Sequence, residues 1–170
     1  MTLNYVILIP LLPLLAGITI GLCGSRLGEK SWKVGAPAQA LACLISLWTL
    51  YTVTVQGPIR VGLFPLSTQP GAWFQFALYV DRLSAVMMAL ITGVSFIVHA
   101  YSIQYMQGER GYARFYALLG LITFVLLCLV CSANLFMLFV FWQLVSWLLY
   151  LLLAFNYAHP PAYDAAFKTF

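Results

Sequence analysis

The sequence predicts an all-α polytopic membrane protein, and three observations support this fold class. Hydrophobic side chains make up 64% of the 170 residues and charged side chains only 7%, a composition that a soluble domain cannot bury. Five apolar runs are long enough to cross a bilayer, which takes about 20 residues per helix. The eight basic and four acidic residues, for a net charge of +4, lie almost entirely between these runs. Such a charge distribution gives no reason to expect a nucleic-acid partner.

The five predicted helices cover about residues 3–23, 34–55, 83–105, 113–131 and 134–157. The short basic stretch GSRLGEKSWK separates the first two, and MQGERGY separates the third from the fourth. A minimal turn at Ser132–Ala133 joins the last two. We expect residues 1–170 to form a single membrane domain.

The segment at about residues 57–80 has a different composition from the rest of the chain. Its two halves, PIRVGLF and WFQFALYV, are rich in β-branched and aromatic residues, and STQPGA separates them. This pattern is typical of a β-hairpin. We expect a small structural hairpin that lies on the outer membrane surface.

The distribution of basic residues between the loops predicts the orientation. With five spans, six basic residues fall on one side of the membrane and two on the other. The larger group is Arg26, Lys30, Lys33, Arg110, Arg114 and Lys168, and the smaller is Arg60 and Arg82. We therefore expect the N-terminus and the hairpin outside and the C-terminus in the cytoplasm, in a bacterial inner membrane.

The end of the sequence, AYDAAFKTF, has the composition of a helix, and Asp164 and Lys168 have the favourable i, i+4 spacing. This predicts the start of a sixth helix at about residues 163–170. Two explanations are open, namely the N-terminal piece of a longer polypeptide and a naturally split subunit that needs a partner.

His99 is the ionisable side chain that the sequence places inside a predicted span. Such groups are costly to bury in a bilayer and for that reason commonly functional. His99 is a candidate member of a proton relay, because histidine changes its charge near physiological pH. The alternative is a neutral histidine that is hydrogen-bonded to a neighbouring helix.

Gln143 lies well inside the fifth run and shares a helix face with Ser146 and Tyr150. These three residues complete the candidate proton or cation pathway. An amide can hydrogen-bond a neighbouring helix or hold a water molecule, but it cannot take up a proton. Of these two roles, helix association is the favoured interpretation.

The remaining polar residues are interpreted as structural. Asp81 precedes the third helix as a potential cap, and four more residues are predicted to be interfacial charges: Arg82, Glu109, Arg110 and Arg114. Cys128 and Cys131 form a CxxC within an apolar run, which favours buried structural thiols over a metal site. No nucleotide loop, zinc spacing or nucleophile–base pair is present, so no catalytic residue, metal site or cofactor is predicted.

The region from residue 79 onward resembles the antiporter-like membrane subunits of respiratory complex I, in particular the L-type subunit. The same family includes large subunits of multisubunit cation/proton antiporters. The resemblance depends on the stretch YVDRLSAVMMALITGVSFIVHAYSIQYMQGERGYARFYALL. The residues that match the family pattern in order and spacing are Asp81, Leu83, Ser84, Thr92 to Val94, Phe96, His99, Tyr105, Met106, Gly108, Glu109, Gly111, Tyr112, Arg114 and Phe115.

The resemblance also shows a departure. Proton-pumping members carry a key titrating Glu in the fifth helix, and here Gln143 stands at that position, within WQLVSWLLYLLLAF. The chain looks more like a branch that serves as membrane partner of a large, soluble, carbonic-anhydrase-like zinc protein in bacterial inorganic-carbon uptake. The resemblance thus implies a proton- or cation-coupled transport subunit. The alternatives are the L-type subunit of NADH-quinone oxidoreductase (a translocase subunit in that case), a multisubunit antiporter subunit, and a membrane scaffold that conducts nothing.

Overall fold

A computed structural model describes residues 4–65, 75–108 and 111–153. It contains five long helices: α1 (Asn4–Leu27), α2 (Trp32–Gln56), α3 (Arg82–Tyr105), α4 (Tyr112–Val130) and α5 (Leu135–Leu153). All five are long and apolar enough to cross a membrane. A two-stranded sheet, β1 (Ile59–Pro65) and β2 (Gln75–Val80), lies between α2 and α3. The predicted fold class is confirmed, while the predicted sixth helix lies outside the described residues.

The basic stretch between the first two helices is more helical than its composition suggests. We expected a loop after residue 23, but α1 continues to Leu27, and a 3-10 turn at Gly28–Ser31 leads directly into α2. The Ser31 hydroxyl donates to the Gly28 carbonyl across this turn. Local hydrogen bonds therefore replace the expected loop, and the reversal between α1 and α2 is tight.

The most extensive helix pair is α1 with α4, and glycines allow their close approach. A Cβ on Gly120 would lie 3.0 Å from the Pro13 carbonyl oxygen, and one on Gly17 would lie 3.1 Å from the Ala117 carbonyl oxygen. Gly24 meets the Ala113 side chain in the same way, at 3.1 Å. Small residues at such contacts let helix backbones touch, which is the main source of packing between helices in a bilayer.

The hairpin is anchored to the turn between α4 and α5. Its strands are antiparallel, with Ile59 opposite Val80 and an irregularity between Gly62 and Phe64. The outer edge of β2 pairs with the turn, since the Tyr79 amide donates to the Cys131 carbonyl at 2.8 Å and the Ala133 amide to the Ala77 carbonyl at 3.2 Å. The end of the bundle that carries these contacts is called the hairpin end below.

At the opposite end, the 3-10 turn meets the segment that follows α3. The Gly108 amide donates to the Glu29 carboxylate at 3.1 Å. Gly108 and Gly111 both have positive φ angles, 85° and 96°, a conformation that glycine adopts without steric cost. These two glycines permit the reversal from α3 into α4.

Helix α5 packs mainly on α4. An edge-to-face contact of Phe124 and Phe141, with ring centroids 6.4 Å apart, lies in this interface. The rest of the helix surface is open and aromatic, with Phe139, Trp142 and Trp147 each more than half exposed. The fold therefore consists of a packed group, α1 to α4, and one helix attached along a single side.

Candidate functional site

His99 lies on α3, and its side chain is buried against α2 and α4. Its side chain is 1% exposed, and its Nδ1 lies 2.8 Å from the backbone carbonyl oxygen of Ser95. A carbonyl oxygen can only accept a hydrogen bond, so Nδ1 is the nitrogen that carries hydrogen. The other ring nitrogen, Nε2, is therefore the atom that can accept a proton.

The backbone around His99 is held by Tyr116 of α4. The Tyr116 hydroxyl donates to the His99 carbonyl at 2.8 Å, and the two rings meet edge to face with centroids 5.5 Å apart. On the side of α2, a Cβ on Gly35 would lie 3.0 Å from Cδ1 of Tyr116 and 3.3 Å from Cδ2 of His99. The absence of a side chain at Gly35 is thus what makes room for both rings.

Two hydroxyl pairs continue the polar region along the helices. The Ser95 and Thr123 hydroxyl oxygens are 2.7 Å apart and join α3 to α4, and those of Ser46 and Thr92, also 2.7 Å apart, join α2 to α3. Thr123 donates its single hydroxyl hydrogen to the Leu119 carbonyl, so Ser95 is the donor in the first pair. Each pair is buried, and each links two helices.

These residues belong to a set of buried polar side chains on α2, α3 and α4, which is called the polar column below. Its members are Gln39, Ser46, Thr49, Thr52, Thr92, Ser95, His99, Ser102 and Thr123. Among the described residues, the column contains no carboxylate and no lysine. Its hydroxyls can donate and accept hydrogen bonds, and His99 is the member whose charge can change near neutral pH.

Sequence reasoning had selected only His99 from this column. The other members recur on one face of each helix, at positions 39, 46 and 49 of α2 and at 92, 95, 99 and 102 of α3. This helical spacing was the available signal. Ser and Thr are common in membrane helices and bond readily to their own backbone, so their pairing across helices becomes visible only in the structure.

Gln143 lies elsewhere. It is exposed on α5, in an open groove of about 470 Å³ that also has Phe139 and Trp147 in its walls. Within the described part of the chain it makes no hydrogen bond to another helix. Ser146 bonds the Trp142 carbonyl of its own helix at 3.3 Å, and Tyr150 is half-buried. The structure therefore does not bring the α5 candidates together with His99.

The interfacial charges are placed at both ends of the bundle. Asp81 caps α3 by accepting a hydrogen bond from the Ser84 amide at 2.7 Å, and this bond lowers the pKa of the Asp81 carboxyl. Arg82 and Arg114 are exposed, and Glu109 and Arg110 lie outside the described residues. The Ser84 hydroxyl donates to the Val130 carbonyl at 3.2 Å, which ties the capped end of α3 to α4.

The CxxC is buried at the hairpin end. Cys128 and Cys131 are both free, and the Cys131 thiol lies 3.3 Å from the Met88 sulfur. The described residues contain no group of three His, Cys, Asp or Glu side chains that could hold a metal ion. Packing of the thiols within the apolar core accounts for their position.

Comparison with known proteins supports the resemblance. Residues 68–116 match the family model for the N-terminus of chain 5 of NADH-ubiquinone oxidoreductase (complex I). Over 96% of its length, the chain is 37% identical to the probable inorganic carbon transporter subunit DabB1 of Halothiobacillus neapolitanus, of which it covers 28%. It is 35% identical, over 98% of its length, to NADH-quinone oxidoreductase subunit L of Rickettsia typhi, of which it covers 26%.

A solved structure shares the fold. It is the structure of the membrane-bound sulfane sulfur reductase, an archaeal respiratory membrane complex, and one of its chains superposes with a TM-score of 0.81 at 20% identity. The match covers 96% of the present chain and 33% of that chain. The sequence is thus similar to the N-terminal region of the L-type subunits of complex I, and the solved structure has the same fold. The chain spans about a quarter of the length of these curated relatives.

Proposed function

We propose that the chain is part of a membrane subunit of a proton- or cation-coupled transport complex. The observation that carries this proposal is His99, an ionisable side chain that is buried inside a span, with the Ser95 hydroxyl of α3 and the Tyr116 ring of α4 beside it. Burying such a group in a bilayer is costly.

The proposed substrate class is inorganic carbon, CO2 or bicarbonate, with a soluble carbonic-anhydrase-like zinc protein as partner. Two observations support this choice over redox-driven pumping. One relative is named as a probable inorganic carbon transporter subunit. In addition, Gln143 stands where the proton-pumping members that the chain resembles carry a glutamate, and an amide cannot exchange a proton.

The second candidate is the L-type subunit of NADH-quinone oxidoreductase, which the similarity to subunit L at 35% identity supports. A subunit of a multisubunit cation/proton antiporter is the third candidate. In either setting, the predicted bacterial inner membrane and the orientation with the N-terminus outside stay part of the proposal. A cysteine-labelling test with a membrane-impermeant reagent at Arg60→Cys and Arg114→Cys would check that orientation, and labelling of the Arg60 position alone is expected.

The deciding experiment is purification of the native complex in mild detergent, followed by mass spectrometry of every component. A single large zinc-binding soluble companion is the expected result. Flavin and iron–sulfur subunits would instead establish the respiratory alternative. If no companion and no further subunit were found, the proposed complex would be refuted.

Variants at Gln143 test the transport step itself, in a host bacterium that lacks carbonic anhydrase and needs the complete complex to grow in air. We expect any proton path to avoid Gln143 as a titrating site, so the wild type supports growth. Loss of growth with Gln143→Leu but not with Gln143→Glu would show that a polar side chain is required there. Growth with Gln143→Glu alone, and not with the wild type, would contradict the proposal.

A further inference from the structure

Another polar residue of the column has a buried group without a hydrogen-bond partner among the described residues. Gln39 of α2 is 1% exposed, and its amide nitrogen has no acceptor among the described residues. Buried amide groups are almost always hydrogen-bonded in proteins. The amide nitrogen of Gln39 therefore needs a hydrogen-bond acceptor within the bundle.

Two contacts between α2 and α3 locate the Gln39 side chain. At one, Gly35 lies against the edge of the His99 ring, and at the other the Ser46 hydroxyl bonds the Thr92 hydroxyl. Gln39 follows Gly35 by one helical turn on the same buried face, between these two contacts. Its amide therefore faces the part of α3 that lies between Thr92 and His99.

The ring atom that is free to bond is on the same side. A Cβ on Gly35 would lie 3.3 Å from Cδ2 of His99, and Cδ2 is bonded directly to Nε2. Cδ2 thus faces α2 and Nε2 is the adjacent ring atom, while Nδ1 is occupied by the Ser95 carbonyl. Nε2 is an acceptor in this tautomer, and the Gln39 amide is a donor.

We propose that one buried water molecule bridges the Gln39 amide and Nε2 of His99. The two groups make no direct hydrogen bond, and a water can accept from the amide and donate to the imidazole. A buried water typically makes about three hydrogen bonds, and two polar partners are the minimum for a plausible site. Gln39 and His99 supply these two, from two different helices.

The bridge makes Gln39 a positioning residue. The water provides the hydrogen for Nε2, and Nδ1 keeps its own hydrogen on Ser95, so the imidazole is held in one tautomer. The titratable group in contact with the ring is Tyr116, which turns its ring edge to His99 and directs its hydroxyl to a backbone carbonyl. This water site does not depend on the proposed transport and would be equally detectable in a protein that conducts nothing.

Solid-state NMR of the full-length protein in lipid bilayers tests the proposal. The histidine side chains carry ¹⁵N, and the His99 signals are assigned by their loss in His99→Gln. The expected result is a hydrogen-bearing Nδ1, a hydrogen-free Nε2, and magnetisation transfer from water protons to Nε2. An Nε2 that carries hydrogen, or an Nε2 that receives no transfer from water, would overturn the proposal on the wild type alone.

The variants identify the residue that holds the water. Gln39→Leu is expected to abolish the transfer and to move the Nε2 resonance downfield, as for a nitrogen that has lost a hydrogen bond. Thr49→Val is the matched control, because Thr49 is buried on the same helix but, within the part of the chain that the structure describes, its hydroxyl bonds only the Ile45 carbonyl of that helix. Transfer that survives in Gln39→Leu, or that is lost equally in Thr49→Val, would refute the role of Gln39.

Discussion

Helices α4 and α5 are consecutive and equally apolar, yet they are used in different ways. In α4, 56% of the span is buried in the described structure, against 17% in α5. Helix α4 contacts α1, α3 and α5, and it supplies Tyr116 and Thr123 to the polar column. Helix α5 has α4 as its main neighbour and presents Gln143 on its open side. The comparison shows that hydrophobicity decides whether a helix enters the membrane, whereas small and hydroxyl side chains decide what it packs against.

The largest effect is expected at Gly120, where α1 and α4 touch. Gly120→Ala places a methyl group 3.0 Å from the Pro13 carbonyl oxygen and 3.2 Å from the Gly17 backbone. Overpacking of this kind costs about 1–3 kcal/mol. The free energy of unfolding, measured in mixed detergent–SDS micelles, should fall by that amount.

Gly93→Ala is the control for this prediction. Gly93 also lies inside a helix, but nothing stands within 4 Å of a Cβ placed there. The added methyl group should leave the protein equally stable or stabilise it by up to about 1 kcal/mol, because alanine is the better helix former. Equal losses in the free energy of unfolding of both variants would show that the α1–α4 contact is no more sensitive to an added methyl group than the position of Gly93.

The second effect concerns the cap at the start of α3. Asp81→Ala removes the acceptor for the Ser84 amide and should lower the free energy of unfolding by about 0.5–2 kcal/mol at neutral pH. Asp81→Asn keeps an acceptor oxygen and should retain most of that stability. If Asn were as harmful as Ala, the charge rather than the hydrogen bond would be responsible.

The same cap predicts a dependence on pH. The Ser84 amide bond lowers the pKa of the Asp81 carboxyl in the folded protein. The ionised Asp81 carboxyl therefore contributes its full stability above the pKa that it has in the unfolded state. This contribution is lost as the pH falls through the pKa of Asp81 in the folded protein. The wild type should lose more stability than Asp81→Asn on acidification through this window, and parallel curves would contradict the prediction.

A smaller effect is expected from the hydroxyl pair of Ser46 and Thr92. A double-mutant cycle with Ser46→Ala and Thr92→Val should give a coupling energy of about 0.6 kcal/mol, the average for hydrogen bonds between membrane helices. The cycle of Ser46→Ala with Thr123→Val tests two hydroxyls that are not bonded to each other and should be additive within about 0.5 kcal/mol. Coupling of equal size in both cycles would mean that the column acts as one unit.

The smallest effect is expected on the open side of α5. Gln143→Leu removes an exposed amide with no bond to the packed group, so the stability of α1 to α4 should change by less than about 0.5 kcal/mol. Protection of α1 to α4 amides from hydrogen exchange measures this directly. A large loss of protection would show that Gln143 supports the packed group, and α5 would then not be an independent element.

The individual elements were largely predictable because each depends on local chemistry. Runs of apolar residues identified the five helices, and alternating β-branched and aromatic residues around STQPGA identified the hairpin. His99 was selected because an ionisable side chain stands out against an apolar background. Ser46, Thr92 and Thr123 were not selected, since a hydroxyl that bonds its own helix and one that bonds a neighbour look alike in sequence.

The sequence by itself determined the membrane class, the number of described spans and the charges at their ends, because the cost of burying charge acts on each residue separately. Only the tertiary structure decided which side chains meet. It placed Gly35 against the His99 ring, buried Gln39, joined Ser95 to Thr123 and left Gln143 on the open face of α5. These pairings depend on how closely two helix backbones approach and at what register, and that distance is set by packing between helices.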